Sequence, residues 1–91
     1  MKNWNVGIGV KHAWGGYRVD VKRRTTLQAD TLDDAIEMAK KWYESIGGNV
    51  ETLEMKKRHD NGILVGATMT NEVKNKYGED ETEYITVLED Y

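Results

Sequence analysis

The chain has 91 residues, no cysteine, no proline and a formal net charge of −3. This length predicts one domain with one core over residues 1–91, and the lack of cysteine excludes disulfides and thiolate metal sites. Neither a signal-peptide segment nor a long apolar run is present, so we expect a soluble, cytoplasmic protein with no membrane partner.

Charge is distributed unevenly along the chain. Residues 1–76 contain all 13 lysines and arginines together with 10 acidic residues, whereas residues 77–91 contain six acidic residues and no basic one. A basic body with an acidic tail is typical of chains that use charged surfaces for interaction. The negative net charge contrasts with the strongly basic balance that is typical of nucleic-acid-binding domains.

The first third of the chain predicts a β-hairpin. Apolar residues alternate with polar residues or glycines over residues 3–11, and again from residue 17 to about residue 29. Gly15-Gly16 suits the turn because glycine accepts a positive φ. Gly7 and Gly9 fall on the outer phase of the first strand, which predicts a stripe without side chains where a ring or a backbone can approach.

A single amphipathic helix is predicted over residues 31–46. Thr31 is placed to cap it through the Asp34 amide, and Gly47-Gly48 ends it. Apolar residues recur at steps of three and four, namely Leu32, Ala35, Ile36, Ala39, Trp42, Tyr43 and Ile46. Packing explains this stripe completely, so the helix is interpreted as scaffold.

Three further strands are predicted after the helix, over residues 50–58, 63–70 and 82–88. Asp60-Asn61-Gly62 is the turn between the first two, and residues 71–78 are polar and predict a loop or one helical turn. The strand over 63–70 is apolar on both faces and is therefore placed centrally. The order ββαβββ predicts an α+β fold with one amphipathic helix packed on a mostly antiparallel sheet of about five strands.

No pattern predicts catalytic residues, a metal site or a cofactor. Ser45 is the only serine and lies at the helix end, and His12 and His59 lie at predicted strand ends without metal-ligand spacing, which predicts solvated side chains. Asp33 and Asp34 are explained by the positive end of the helix dipole. We therefore expect a protein that is not an enzyme.

Two basic clusters are candidate nucleic-acid-binding residues. They are Lys22, Arg23 and Arg24 in the second strand, and Lys56, Lys57 and Arg58 in the third. A helical crossover between parallel strands is expected to bring them to one end of the sheet as a single basic patch for phosphates. Arg23 and Lys57 both fall on the inward phase of their strands. The alternative is that the clusters protect strand edges and pair with the acidic tail.

The acidic tail, residues 77–91, is the candidate protein-binding surface. Its candidate contact residues are Glu79, Asp80, Glu81, Glu83, Tyr84, Glu89, Asp90 and Tyr91. Charge steers encounters and tyrosine is favoured in interfaces. An exposed edge strand in this segment can pair with another protein or with a second copy as a homodimer. The alternative is an edge strand that its charge keeps soluble.

In its small size and its lack of a catalytic constellation, the chain resembles the small accessory proteins of bacteriophages and mobile elements. The resemblance implies a non-enzymatic protein-binding module that inhibits a host protein by occluding a surface. The alternative is a nucleic-acid-binding domain that uses the two basic clusters.

Overall fold

Five strands and one α-helix make up the computed structural model, which describes residues 1–12 and 15–90, with the backbone alone for residues 19–22. The strands are β1 (Lys2–His12), β2 (Tyr17–Ala29), β3 (Glu54–Asp60), β4 (Val65–Lys74) and β5 (Asp80–Asp90), and the helix α1 spans Leu32–Ser45. This order confirms the predicted α+β fold. Within the described residues, no helix combines the length and apolarity needed to cross a membrane.

The sheet order is β2-β1-β5-β4-β3, and all neighbouring strands are antiparallel. The acidic strand β5 is therefore the central strand, and the prediction that it lies at an exposed edge is wrong. The physical reason is that apolar and polar residues alternate along β5. Its apolar residues Ile85 and Val87 are completely buried in the core. The apolar strand β4 lies inside the sheet as expected, one position from its centre.

α1 connects the two edge strands, β2 and β3. These strands point in the same direction, as predicted, but three strands separate them. At a spacing of about 4.8 Å between neighbouring strands, their backbones are about 19 Å apart. The prediction that the crossover joins residues 22–24 and 56–58 into one basic patch is therefore wrong, because β1, β5 and β4 lie between them.

The core lies between α1 and one face of the sheet. Its buried residues come from α1, the end of β2 and the inward phases of β1, β4 and β5: Trp4, Val6, Ile8, Ala29, Leu32, Ala35, Ile36, Ala39, Tyr43, Ala67, Met69, Ile85 and Val87. The indole N–H of Trp4 donates to the Ala29 carbonyl at 3.0 Å, so this large core side chain also satisfies its polar atom.

The helix boundaries follow the sequence signals. Thr31 is extended, and its hydroxyl accepts a hydrogen bond from the Asp34 amide at 3.2 Å. After the last helical residue, Gly47 has a φ of 97°, and the Gly48 amide donates to the Tyr43 carbonyl at 2.9 Å. These bonds satisfy backbone groups that the helix ends leave open.

The segment after the helix differs from the predicted strand over residues 50–58. Val50–Thr52 form a short 3-10 helix, where the Asn49 side chain accepts a hydrogen bond from the Glu51 amide at 3.0 Å. β3 therefore begins only at Glu54. Local capping by an asparagine competes here with strand pairing.

β4 also differs in its limits from the predicted strand over residues 63–70. The Asn61 side chain accepts hydrogen bonds from the Ile63 and Leu64 amides at 3.1 and 2.9 Å, which keeps both residues in the turn. At its other end the strand continues through residues 71–74, predicted as a loop or helical turn, because they pair with β5 as far as Asp80.

Bulges interrupt both edge strands. Gly7 and Ile8 are neighbours in β1, but they pair with Arg24 and Asp20 of β2. The three residues of β2 between these partners form the bulge. In β3 the inserted residue is Lys56. This insertion turns Lys57 to the face opposite α1, which corrects its predicted inward phase.

Replacing Thr31 by alanine is expected to lower the free energy of unfolding by about 1 kcal/mol, because the Asp34 amide loses its acceptor. Urea denaturation measures the change. Thr31→Ser is the control, since it keeps the oxygen and is expected to stay within a few tenths of a kcal/mol of the parent. Equal losses in both variants would show that the hydroxyl does not stabilise the helix.

Candidate binding surface

No described element of the chain covers the sheet face opposite α1, which is termed here the helix-free face. Its residues come from alternate strand positions; half of the described ones are Asn, Thr, Gly or Tyr, and basic and acidic groups are nearly balanced. The described members are Asn3, Asn5, Gly7, Gly9, Lys11, Tyr17, Arg24, Thr26, Gln28, Glu54, Lys56, Lys57, His59, Gly66, Thr68, Thr70, Glu72, Lys74, Asp80, Thr82, Tyr84, Thr86, Leu88 and Asp90.

A trough of about 740 Å³ runs along β1 on this face. Gly7 and Gly9 lie in its floor, and because they lack side chains the floor is flat, as the sequence predicts. The walls come from the neighbouring strands β2 and β5, through Tyr17, Arg24, Thr26, Thr86 and Leu88.

Aromatic rings close one end of the trough. The Tyr17 ring lies over Gly9, where an added Cβ would overlap it. It meets the Tyr84 ring edge-on, with centroids 6.0 Å apart, and the Lys56 Nζ lies 5.1 Å from the Tyr84 centroid. Tyr84 was a candidate contact residue, whereas Tyr17 was missed. The signal for Tyr17 is Gly9, a glycine placed diagonally to it on the neighbouring strand, since aromatic rings commonly cover strand glycines.

Arg24 lies in the wall opposite Gly7. Its Cγ and Cδ atoms are 3.6 and 3.8 Å from the place that a Cβ of Gly7 would occupy, so the aliphatic part of the side chain follows the trough floor. Among the described side chains, no carboxylate forms an ion pair with Arg24. Its guanidinium is therefore a positive group that an anion in the trough can contact.

Two carboxylates of the acidic strand, those of Glu81 and Glu83, lie on the sheet face that α1 covers. Glu81 and Glu83 are 9% and 8% exposed. Glu83 contacts Arg23 at 2.7 Å, and Glu81 contacts the His12 Nδ1 at 2.6 Å. These two candidate contact residues are thus buried by the chain itself, and His12 is not the solvated histidine that the sequence suggests.

The other acidic candidate residues of the tail lie at its two ends. Glu89 contacts Lys2 at 3.4 Å, Asp80 contacts Lys74 at 2.5 Å, and Glu79 accepts a hydrogen bond from Asn75 at 3.2 Å. Asp90 is exposed, and Tyr91 lies outside the described residues. Of the candidate tail residues, Tyr84 is therefore the one that the structure brings to the end of the trough.

The basic clusters are divided between the two faces of the sheet. Arg23 lies on the helix side, and Arg58 contacts Asp33 of α1 at 2.7 Å. Arg24, Lys56 and Lys57 lie on the helix-free face. The side chain of Lys22 lies outside the described residues.

A buried polar network connects α1 to β4 and β5. The Tyr43 hydroxyl donates to Glu83 Oε1 at 2.5 Å and accepts from Asn71 Nδ2 at 2.9 Å. Asn71 in turn accepts from the Thr52 hydroxyl at 2.6 Å. Burial, followed by the hydrogen bond to the Glu83 carboxylate, raises the pKa of Tyr43 to about 12. Since every buried side-chain polar atom among the described residues has a partner, the network is interpreted as structural.

The trough carries binding groups: a guanidinium, the Tyr17 ring, threonine hydroxyls and the Asn5 amide. In the described part of the chain, no group of three or more His, Cys, Asp or Glu side chains could hold a metal ion. Comparison of the chain with models of protein families, with curated proteins and with solved structures finds no match.

Raising the pH from 10 to 12 is expected to destabilise the parent protein more than Tyr43→Phe. The pKa of Tyr43 is higher in the folded state than its usual 10.0, so its stabilising effect is complete below pH 10 and is lost as the pH rises towards 12. At neutral pH the variant is expected to be less stable by about 1 to 3 kcal/mol, because Asn71 and Glu83 lose a partner.

Urea denaturation across this pH range provides the measurement. The control is Tyr77→Phe, since Tyr77 is 74% exposed. Loss of its hydroxyl is expected to change neither the stability at neutral pH nor the loss of stability between pH 10 and 12. Parallel pH profiles for the parent and Tyr43→Phe would contradict the assigned role of the hydroxyl.

Gly9→Ala is expected to displace the Tyr17 ring, whereas Gly7→Ala is expected to leave it in place. A Cβ at Gly9 overlaps the ring, but one at Gly7 makes ordinary contact with Arg24. Nuclear Overhauser contacts between the Tyr17 and Tyr84 rings are expected to vanish only in the first variant. Retention of these contacts in Gly9→Ala would show that the ring does not cover Gly9.

Proposed function

We propose that this chain is a non-enzymatic protein-binding module that captures its partner on the helix-free face of the sheet. The observation that carries the proposal is the flat, glycine-floored trough with Tyr17 and Tyr84 at its end. Tyrosine supplies rigid contact area at a low entropic cost, while the surrounding Asn and Thr side chains supply adaptable hydrogen bonds. Occlusion of the partner's surface is then the mode of action, as expected of an inhibitory accessory protein.

The size of the face supports this proposal. Five strands at about 4.8 Å and about nine residues at about 3.4 Å give an area of roughly 700 Å². A standard protein interface buries about 800 Å² on each partner. One face of this sheet therefore supplies nearly the whole surface that a stable complex needs.

The edges of the sheet are less suited to binding than its face. β2 carries the three-residue insertion and β3 carries the bulge at Lys56, and bulges in edge strands oppose the addition of another strand. Homodimerisation through an edge strand is accordingly the weaker proposal. The carboxylates of β5 do not support binding either, because Glu81 and Glu83 are engaged inside the chain.

Nucleic-acid binding is the second candidate, because Arg24, Lys56 and Lys57 share the helix-free face with the two tyrosine rings. Rings that stack bases and cations that contact phosphates are the usual elements of single-strand binding. The same face, however, carries acidic residues in nearly equal number, including Glu54 and Glu72. Protein binding is therefore the function that the geometry supports better.

Thr68→Tyr is expected to abolish partner capture, whereas Lys41→Tyr is expected to leave it unchanged. Thr68 lies in the middle of the helix-free face, so a bulky side chain there prevents close approach of a flat partner surface. Lys41 is exposed on the far side of α1, and the same new side chain there serves as the matched control.

Capture is measured by affinity purification from a lysate of the source cells, read by mass spectrometry with and without nuclease. Unfolding curves establish that both variants fold. Partner proteins that both variants retain would contradict the helix-free face as the docking surface. Capture that nuclease abolishes would favour the nucleic-acid function instead.

A further inference from the structure

We infer that the trough binds an extended acidic segment of the partner protein and that a carboxylate of this segment contacts Arg24. This inference rests on the proposed function, since it assumes a protein partner on the helix-free face. It adds the chemistry and the residue pattern that the trough selects.

The shape of the trough fits an extended chain. It follows β1 from Asn5 to Gly9, a length of about 14 Å at about 3.4 Å per residue, and it is one strand wide. The Tyr17 ring covers Gly9 and the Arg24 methylenes lie along Gly7, so a bound segment lies against these two side chains, between the walls of the trough. About five residues of extended polypeptide fill this length.

The charge of the trough selects an acid. Arg24 is the one charged side chain among the described residues that line it, and no described carboxylate pairs with it. Its aliphatic carbons lie along Gly7. A carboxylate meets such a guanidinium with two parallel hydrogen bonds.

A nucleic acid fits this charge distribution less well. A single strand brings several phosphates along the same length, but the trough offers one cation. Lys56 is held over the Tyr84 ring, and Lys57 belongs to the edge strand β3, three positions from β1.

The register of the sheet gives the pattern of the bound segment. Leu88 pairs with Asn5 and Tyr84 with Gly9, and Arg24 pairs with Gly7 midway between them. The pairs at Asn5, Gly7 and Gly9 are spaced two residues apart along β1. Side chains on one face of an extended chain repeat at the same spacing. The trough therefore fits an acidic residue with apolar or aromatic residues two positions before and after it.

The probe is the symmetric peptide Leu-Thr-Glu-Thr-Leu with blocked ends, titrated into the isotopically labelled full chain and followed by NMR. We expect shifts at the amides of Gly7, Gly9 and Thr86. A central Gln in place of Glu is expected to weaken binding about tenfold or more, as for the loss of a charged hydrogen bond.

Two variants and one control complete the design. Arg24→Gln is expected to remove the preference for Glu over Gln, and Gly7→Val is expected to block the floor and abolish binding of both peptides. Lys41→Gln removes one positive charge on the far side of α1 and is expected to keep the preference. Equal affinity of the two peptides for the parent, or no shifts in the trough, would overturn the inference, as would tighter binding of an oligothymidylate.

Failure of this inference is distinguishable from failure of the proposed function. If Thr68→Tyr abolishes capture of the cellular partner and Arg24→Gln leaves it unchanged, the helix-free face binds the partner without an acidic segment on Arg24. If neither variant affects capture, the helix-free face is not the docking surface at all.

Discussion

The pairing of β1 with β5 is the constraint on which the rest of the structure depends. Ten residue pairs, from Asn3 with Asp90 to His12 with Glu81, join the first and the last strand in the middle of the sheet. The pairing places an acidic strand between two others, so its inward carboxylates need partners inside the chain. Arg23 and His12 supply them. It also moves β2 and β3 to opposite edges, and α1 packs over the strands between them.

Local features of this fold were predictable from the sequence. The Thr31 cap and the three-and-four spacing of α1 act within a few residues, and so does the period of two in β1 and β2. The place of β5 was not predictable, because strand order depends on contacts between residues far apart in the chain. Its five acidic residues suggested an exposed edge, while the smaller signal from Ile85 and Val87 indicated burial. The bulge at Lys56 could not be predicted from the alternation of apolar and polar residues either. It places Lys57 on the helix-free face and not on the inward face, where it was expected.

The candidate site likewise has a part that local sequence predicts and a part that depends on strand order. The flat stripe at Gly7 and Gly9 was predictable, because two glycines on one phase of a strand leave no side chains whatever the strand order. The walls of the trough were not, since they come from β2 and β5 and require both neighbours of β1 to be known. Tyr17 and Arg24 therefore became part of a site only when the sheet was assembled. Partner capture is proposed on a surface that carries fewer than half of the charged candidate residues, namely Arg24, Lys56, Lys57, Asp80 and Asp90.

The central position of β5 also affects how the chain assembles. Three pairs of strands, β1 with β2, β3 with β4 and β4 with β5, form from neighbouring segments, but the two halves of the sheet have no contact until residues 80–90 pair with β1. Before that step each half exposes an unsatisfied backbone edge and part of its apolar face, which are the conditions for association between chains. Contacts of such long sequence separation slow folding. The strand that completes the sheet thus joins its two halves, and the time before its insertion is when the chain is most exposed to aggregation.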